Sequence, residues 1–184
     1  MRFKSILVNL DVDGPVAPLF SFAMKLARRF EAVLIGFSAA DAPLPFVGPE
    51  GSVIAGEVWQ QERDDIERRL KELRAEVDKL ASGSLPVEWQ QMVGDPTHTL
   101  TVAARLADLI VTGAPQGASV SDGYRAADLG SVILQAGRPV LVAADGAEQL
   151  SANRVVVAWK DTREARRAVA DAVPLLLSPA KSPS

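Results

Sequence analysis

The sequence has no cysteine and a single histidine, His98. The absence of cysteine excludes disulfide bridges, thiolate-bound zinc, iron–sulfur clusters and a cysteine nucleophile. One histidine is too few for a multi-histidine metal site or a catalytic histidine network. We therefore expect no metal site, and we interpret His98 as an exposed helix residue.

The sequence also lacks a large excess of charge of either sign. Its 20 basic and 23 acidic residues give a formal net charge of −3, whereas proteins that bind the phosphate backbone of nucleic acids carry a basic excess. No apolar run approaches the roughly 18 residues of a membrane-spanning helix, and the first residues do not form a signal peptide. We expect no nucleic-acid partner, no membrane association and a cytoplasmic location.

The chain does contain alternating strand and helix patterns. Compact apolar runs with β-branched residues are typical of strands buried on both faces of a parallel sheet, and apolar residues recur at helical spacing between them. The three prolines and three glycines of residues 41–56 predict a long loop without regular structure. The patterns predict strands over residues 5–10, 32–37, 86–93, 108–113 and 139–143, and helices over residues 19–29, 57–80, 97–104 and 129–136.

This alternation predicts an α/β fold with a doubly wound, five-stranded parallel sheet whose crossover connections are right-handed. We expect the strand order 3-2-1-4-5. In such a sheet, ligands bind beyond the carboxyl ends of the strands, where the strand order reverses. We therefore expect a ligand between Asp11, after the first strand, and Gly113, at the end of the fourth.

The C-terminal part repeats the beginning of the chain. Residues 154–161 form an apolar run that ends at an aspartate, as the first predicted strand does, and a helical pattern follows over residues 162–173. We predict a domain over residues 1–145, a linker over 146–153, a partial second repeat of one strand and one helix over 154–177, and a disordered tail over 178–184. One strand and one helix cannot close a core by themselves.

The common phosphate-binding motifs are absent. No two glycines have the G-x-G spacing of dinucleotide-binding folds, and the one pair with P-loop spacing, Gly51 and Gly56, is followed by Glu57 instead of lysine. Gly130 and Ser131 remain at the start of a predicted helix, where free backbone N–H groups and the helix dipole favour an anion. The alternative is an ordinary loop in which glycines relieve turns.

Four stretches resemble the universal stress proteins, and specifically their tandem form. They are residues 4–11, 94–96 and 107–113, and the Gly130-Ser131 pair with residues 138–142. The resemblance covers residues 1 to about 145 in order, and residues 154–175 resemble the start of a second such domain. It implies the adenine nucleotide alpha hydrolase-like fold and, in the nucleotide-binding members, a site for ATP.

Carried over by position, the resemblance implies that Asp11 faces the adenine or its ribose and that Phe37 forms an apolar wall for the base. The same resemblance implies contacts with the ribose and phosphates for Gly113, Gly117, Gly130 and Ser131. The glycine spacing departs from the family pattern, because three residues separate Gly113 from Gly117 and twelve separate Gly117 from Gly130. Asp11 also has a plain interpretation as the cap of the following helix.

The resemblance implies a cytoplasmic stress-response module that binds an adenine nucleotide without dedicated catalysis. The main alternative is a nucleotide-free module for dimerisation and interaction. A small hydrolase that uses Ser131 or Asp11 is disfavoured, because no base is visible for either residue. We also expect a homodimer through the fifth strand, Pro139 to Ala143, with residues 154–173 packed on their own or the partner chain.

Overall fold

The computed structural model describes residues 2–44, 52–82, 86–114 and 122–177, with backbone only for residues 52–55. The predicted tail over residues 178–184 lies outside this part of the chain. Within it the strands are β1 (Ser5–Asn9), β2 (Val33–Ala40), β3 (Val87–Val93), β4 (Leu109–Gly113) and β5 (Val140–Ala143). The helices are α1 (Val16–Phe30), α2 (Ser52–Ala81), α3 (Pro96–Ala103), α4 (Leu129–Gln135) and α5 (Arg163–Leu177), and a 3₁₀ turn (Ala104–Leu106) follows α3.

The strands form one parallel sheet in the order β3-β2-β1-β4-β5, which confirms the predicted topology. β1 lies at its centre, where Leu7 is opposite Ile35 of β2 and Ile110 of β4. The chain moves outward from β1 to β3 on one side and from β4 to β5 on the other. The order therefore reverses between β1 and β4, and the loops after these two strands diverge and leave a crevice.

Helices cover both faces of the sheet, and this explains the apolar strand runs. On one face, Ile6 and Val8 belong to a core that includes buried residues of α1 and α2, such as Phe20 and Leu70. On the other face, Leu7 belongs to a core with buried residues of α3 and α4. Because successive strand residues face opposite sides, a strand covered on both sides is apolar throughout.

Helix α2 begins at Ser52, before the predicted start at Glu57, so the prediction of irregular structure through residue 56 was wrong. The prolines of the predicted loop all precede Ser52, and Gly56 costs a helix only about 1 kcal/mol relative to alanine. The apolar row of the helix is buried, which stabilises its whole length: Ile66, Leu70, Leu73 and Val77. No helix of the described residues is both long and apolar enough to span a bilayer.

The predicted strand within residues 154–161 is absent, whereas the predicted helix after it is confirmed as α5. Val155, Val156, Val157 and Trp159 are exposed, and Val156 is 95% exposed. A strand needs a neighbouring strand for its backbone and cover for its apolar faces, and the described residues provide neither for this segment. The division into a first domain, a linker and a partial repeat stays a prediction.

Arg29 of α1 and Arg167 of α5 form hydrogen bonds that connect the regions before and after this exposed segment to the rest of the chain. The two terminal nitrogens of Arg29 donate to the carbonyl groups of Leu150 (3.1 Å) and Leu175 (3.4 Å). The Arg167 guanidinium donates to the carbonyl of Gly137 at 3.3 Å. These hydrogen bonds attach the C-terminal region through α5 and through Leu150.

Candidate ligand-binding crevice

A crevice of about 280 Å³ opens at the carboxyl ends of β1, β4 and β5. Its volume is at the lower end of the roughly 300–1,000 Å³ typical of small-molecule sites. One wall is the β1–α1 loop with the first turn of α1, and the other is formed by the residues that follow β4 and β5. The lining residues are Asp11, Gly14, Pro15, Pro18, Leu19, Gly113, Ala114, Ala143, Ala144, Asp145, Gly146 and Ala147.

A tight turn places Asp11 in the crevice wall. The Gly14 N–H donates to the Asp11 carbonyl at 3.0 Å, and a Cβ at Gly14 would lie only 3.3 Å from the Asp11 Cβ. The residue that caps α1 is Pro15, and the helix receives no side-chain capping hydrogen bond. The interpretation of Asp11 as a helix cap is therefore wrong, and its carboxylate is available for another role.

The Asp11 carboxyl group is half-buried. Burial raises the pKa of Asp11, a hydrogen bond from Asn9 lowers it, and the nearby charge of Asp13 raises it further, with a net upward shift. The Asn9 Nδ2 lies 3.3 Å from Asp11 Oδ1 and 3.5 Å from the Thr112 hydroxyl oxygen. Asn9 and Thr112 thus form a polar layer behind Asp11 that orients its carboxylate.

The start of α4 differs from the predicted anion site. The Ser131 N–H is not free, because it donates to Asp128 Oδ2 at 2.8 Å, and Asp128 is the N-cap of the helix. The hydrogen bonds from Ser131 hold the pKa of Asp128 below its usual value. The Asp128 N–H donates to the Thr97 hydroxyl at 2.9 Å. The donor that the sequence offered to a phosphate is therefore used by a carboxylate of the chain itself.

Arg125 connects the segment before α4 to the β1–α1 loop. Its Nε and Nη2 donate to the two carboxylate oxygens of Asp13 at 2.8 and 2.9 Å. The carbonyl of the neighbouring Tyr124 accepts from the Asp41 N–H, after β2, at 2.7 Å. The Arg125 guanidinium is therefore paired with the Asp13 carboxylate.

The structure brings only two of the sequence-predicted site residues together: Asp11 and Gly113 both line the crevice. Gly130 and Ser131 lie in the first turn of α4 and do not line it. Phe37 lies on the α3 face of the sheet, where it lines a second cavity of about 260 Å³ together with His98. Gly117 lies outside the described residues.

The sequence analysis missed Asp145 in the crevice wall and Asp128 at the start of α4. Asp128 could have been found, because an aspartate just before an apolar helical pattern is typical of an N-cap. Asp145 stands at the start of a polar stretch, and only the position of β5 beside β4 brings it to the crevice. In the described ranges, no group of three or more His, Asp or Glu residues has the arrangement of a metal site.

Comparison with known proteins gives a structural similarity only. No family model matches the sequence, and no curated protein matches it either. The universal stress protein UspA from Lactobacillus plantarum has a TM-score of 0.54 at 23% identity, over 77% of this chain and 98% of that chain.

Two further structures share the fold. For the hypothetical protein MJ0577 the TM-score is 0.56 at 18% identity, over 78% of this chain and 97% of that chain. A universal stress protein family protein from Arabidopsis thaliana, solved with AMP bound, has a TM-score of 0.50 at 14% identity, over 79% of this chain and 94% of that chain. The chain therefore has the adenine nucleotide alpha hydrolase-like α/β fold found in universal stress protein structures.

Proposed function

We propose that this protein binds the adenosine part of an adenine nucleotide in the crevice between β1 and β4. The observation that carries the proposal is the position of the half-buried Asp11 carboxylate opposite Gly113, at the point where the strand order reverses. The Arabidopsis protein with the same fold was solved with AMP bound, which supports an adenine ligand. The sequence resemblance adds ATP as a candidate ligand and a cytoplasmic stress-response role without dedicated catalysis.

The residues of the crevice suit a ring with a sugar. The Asp11 carboxylate can accept a hydrogen bond from the adenine amino group or a ribose hydroxyl, and Pro18 and Leu19 give an apolar wall for the ring. A Cβ at Gly113 would lie 3.7 Å from Leu19 Cδ2. A larger side chain at Gly113 would therefore extend across the crevice toward α1 and reduce the space for a ligand.

Calorimetric titration of the purified chain with adenosine, AMP and ATP tests this proposal. We expect Asp11→Ala to weaken binding about tenfold to a hundredfold, since a hydrogen bond to a charged group contributes roughly 1.5–3 kcal/mol. Gly113→Val should weaken it for steric reasons. Asp161→Asn, which removes an exposed carboxylate outside the crevice, is the control. Unchanged affinity in both crevice variants would refute the site.

The second candidate is an interaction module that forms a homodimer, and exposed apolar surface favours it. β5 is an edge strand whose Val142 is 41% exposed, and the segment from Val155 to Trp159 displays apolar side chains without cover. Unpaired strand edges and exposed apolar patches are common places of association. We propose that β5 edges pair around a two-fold axis, with residues 154–173 packed on their own or the partner chain.

Light scattering at micromolar concentration tests the dimer. We expect a dimer for the full chain, and a shift toward monomer for a Val156→Asp, Trp159→Asp double variant, which keeps α5 and its contacts. A chain that ends at Ala147 shows whether the C-terminal region contributes at all. A full chain that is monomeric contradicts the dimer, and a dimer without any adenine ligand binding favours the interaction module over the first candidate.

A further inference from the structure

The crevice is acidic. The charged side chains in its wall are Asp11 and Asp145, and none of its described lining residues is Lys, Arg or His. Among these described lining residues, a phosphate group in the crevice would therefore meet carboxylates and no cation.

The two arginines beside the β1–α1 loop are already engaged. Arg125 donates through Nε and Nη2 to the Asp13 carboxylate. Arg69 donates through Nε to the Val12 carbonyl at 3.0 Å and through Nη1 to Glu72 at 3.4 Å. A phosphate that recruited either guanidinium would have to break these contacts, and binding would lose the free energy that they contribute.

The start of α4 offers no replacement. The Asp128 carboxylate accepts from the Ser131 N–H, and the Asp128 N–H is bound to the Thr97 hydroxyl. An incoming phosphate would have to displace a carboxylate that the fold itself supplies. The negative charge of Asp128 would then stay near the phosphate and repel it.

We propose that the crevice takes an uncharged purine nucleoside and that each added phosphate weakens binding, in the order adenosine, AMP, ATP. This inference rests on the proposed adenine-binding function and narrows its ligand class. The volume of about 280 Å³ agrees with a ring and a sugar better than with a sugar that carries three phosphates. The carboxylate of Asp11 serves the nucleoside as a hydrogen-bond acceptor and repels the phosphates.

Calorimetric titration with adenosine, AMP, ATP and ATP with Mg²⁺ at low ionic strength tests the order. We expect adenosine to bind at least about tenfold more tightly than ATP, because the repulsion acts at a partly buried site. Raising the salt concentration to about 0.15 M should narrow this difference, since salt screens the charges. The affinity for adenosine should stay the same.

Two matched variants locate the effect. Asp145 and Glu148 are both exposed, but only Asp145 lines the crevice. Asp145→Asn therefore removes a charge from the crevice wall, and Glu148→Gln removes the same charge from a nearby residue outside it. We expect Asp145→Asn to raise the affinity for ATP several-fold relative to the affinity for adenosine. Glu148→Gln should change neither affinity.

The possible results separate this inference from the proposed function. ATP that binds as tightly as adenosine or more tightly, with or without Mg²⁺, overturns the nucleoside preference and leaves adenine binding intact. Equal gains in ATP affinity for both variants overturn the assignment of the repulsion to the crevice wall. Failure of all four ligands to bind overturns the proposed function, and the nucleoside preference with it.

Discussion

Two segments of this chain have the same sequence plan and different structures. β1 (Ser5–Asn9) and residues 155–159 are both short apolar runs rich in β-branched residues, and each is soon followed by an aspartate. β1 pairs with a strand on each side and is buried between two layers of helices. Residues 155–159 belong to no strand and expose their apolar side chains.

The difference shows what a strand pattern leaves unspecified. An apolar β-branched run fits a buried, pleated surface, but the pairing partner and the covering helices must come from elsewhere in the chain. β1 obtains them from β2, β4 and helices on both faces. In the described part of the chain, residues 155–159 are followed by α5 alone.

Alanine substitutions in β1 and in residues 155–159 should differ most in their effect on the free energy of unfolding. Leu7→Ala in β1 removes a fully buried side chain and should lower the free energy of unfolding by about 2–5 kcal/mol, as large-to-small core substitutions do. Val156→Ala removes one that is 95% exposed and should change it by less than about 0.5 kcal/mol. Urea unfolding followed by circular dichroism measures both.

A dimer that covers residues 155–159 would change the result expected for Val156→Ala. Val156→Ala would then destabilise the chain at high protein concentration and have little effect at low concentration. A cost above about 1 kcal/mol at every concentration would mean that Val156 is buried within its own chain, and the contrast between the two segments would be wrong.

A pair of glycine substitutions tests how closely the sheet packs beside β1. A Cβ at Gly36 in β2 would lie 2.7 Å from Cε3 of Trp89 in β3, so Gly36→Ala should destabilise the fold by about 1–3 kcal/mol through overpacking. Gly56, in the exposed part of α2, has no neighbour within 4 Å. Gly56→Ala should therefore stabilise it by about 0.5–1 kcal/mol through helix propensity.

Thermal and urea unfolding of both variants give the sign of each effect. The variant Gly36→Ala with Trp89→Leu serves as the control, because the smaller side chain removes the ring that the new methyl group meets. Equal stability of Gly36→Ala and the unsubstituted chain would show that the Trp89 ring moves aside without cost.

The sequence was sufficient to predict the sheet because each strand of residues 5–143 carries its own signal. The apolar runs and helical spacings determine five parallel strands, and right-handed crossovers leave few possible orders. The start of α2 was misjudged because prolines that precede Ser52 were taken to affect residues up to Gly56. The strand over residues 155–159 was misjudged because its pattern is real and its neighbours are missing.

The site was less predictable, because it depends on contacts between distant segments. Asp11 and Gly113 were predictable, since the carboxyl ends of adjacent strands meet. The pairing of Arg125 with Asp13 joins residues 112 positions apart, and no local sequence pattern predicts it. Phe37 lies on the α3 face because successive strand residues alternate in direction, so a shift of one residue reverses the side that it faces.

The ion pairs that follow β1 and residues 155–159 allow a further comparison, with a smaller expected effect on stability. Asp13, after β1, pairs with Arg125 from a distant loop, whereas Asp161, after residues 155–159, pairs with the nearby Arg166. A double-mutant cycle with Asp13→Ala and Arg125→Ala should give a coupling of about 0.2–1 kcal/mol, typical of solvent-accessible pairs. The local pair should give a value near zero, because its side chains are more exposed, at 58% and 82% against 25% and 58% for Arg125 and Asp13. Equal couplings would contradict this.

The smallest expected effect is the pH dependence of stability that comes from the aspartate after β1, Asp11. Burial raises the pKa of Asp11 in the folded chain above the ordinary value of 3.8, against a smaller opposing effect of the Asn9 hydrogen bond and with a further contribution from Asp13. The folded state therefore holds this proton more tightly than the unfolded state does. As the pH rises from below 3.8 through the folded pKa, the Asp11 contribution to stability falls, and above that pKa it is constant.

Asp11→Asn removes the loss of stability that comes from ionising a buried carboxyl group. The amide oxygen of the new side chain can still accept a hydrogen bond from Asn9. We expect the variant to gain stability relative to the unsubstituted chain as the pH rises through this window, and to gain nothing at the acidic end. Asp161→Asn removes the same charge from an exposed residue that pairs with Arg166, and thermal unfolding at each pH compares the two variants. A stability of Asp11→Asn relative to the unsubstituted chain that does not change with pH would contradict the raised pKa of Asp11.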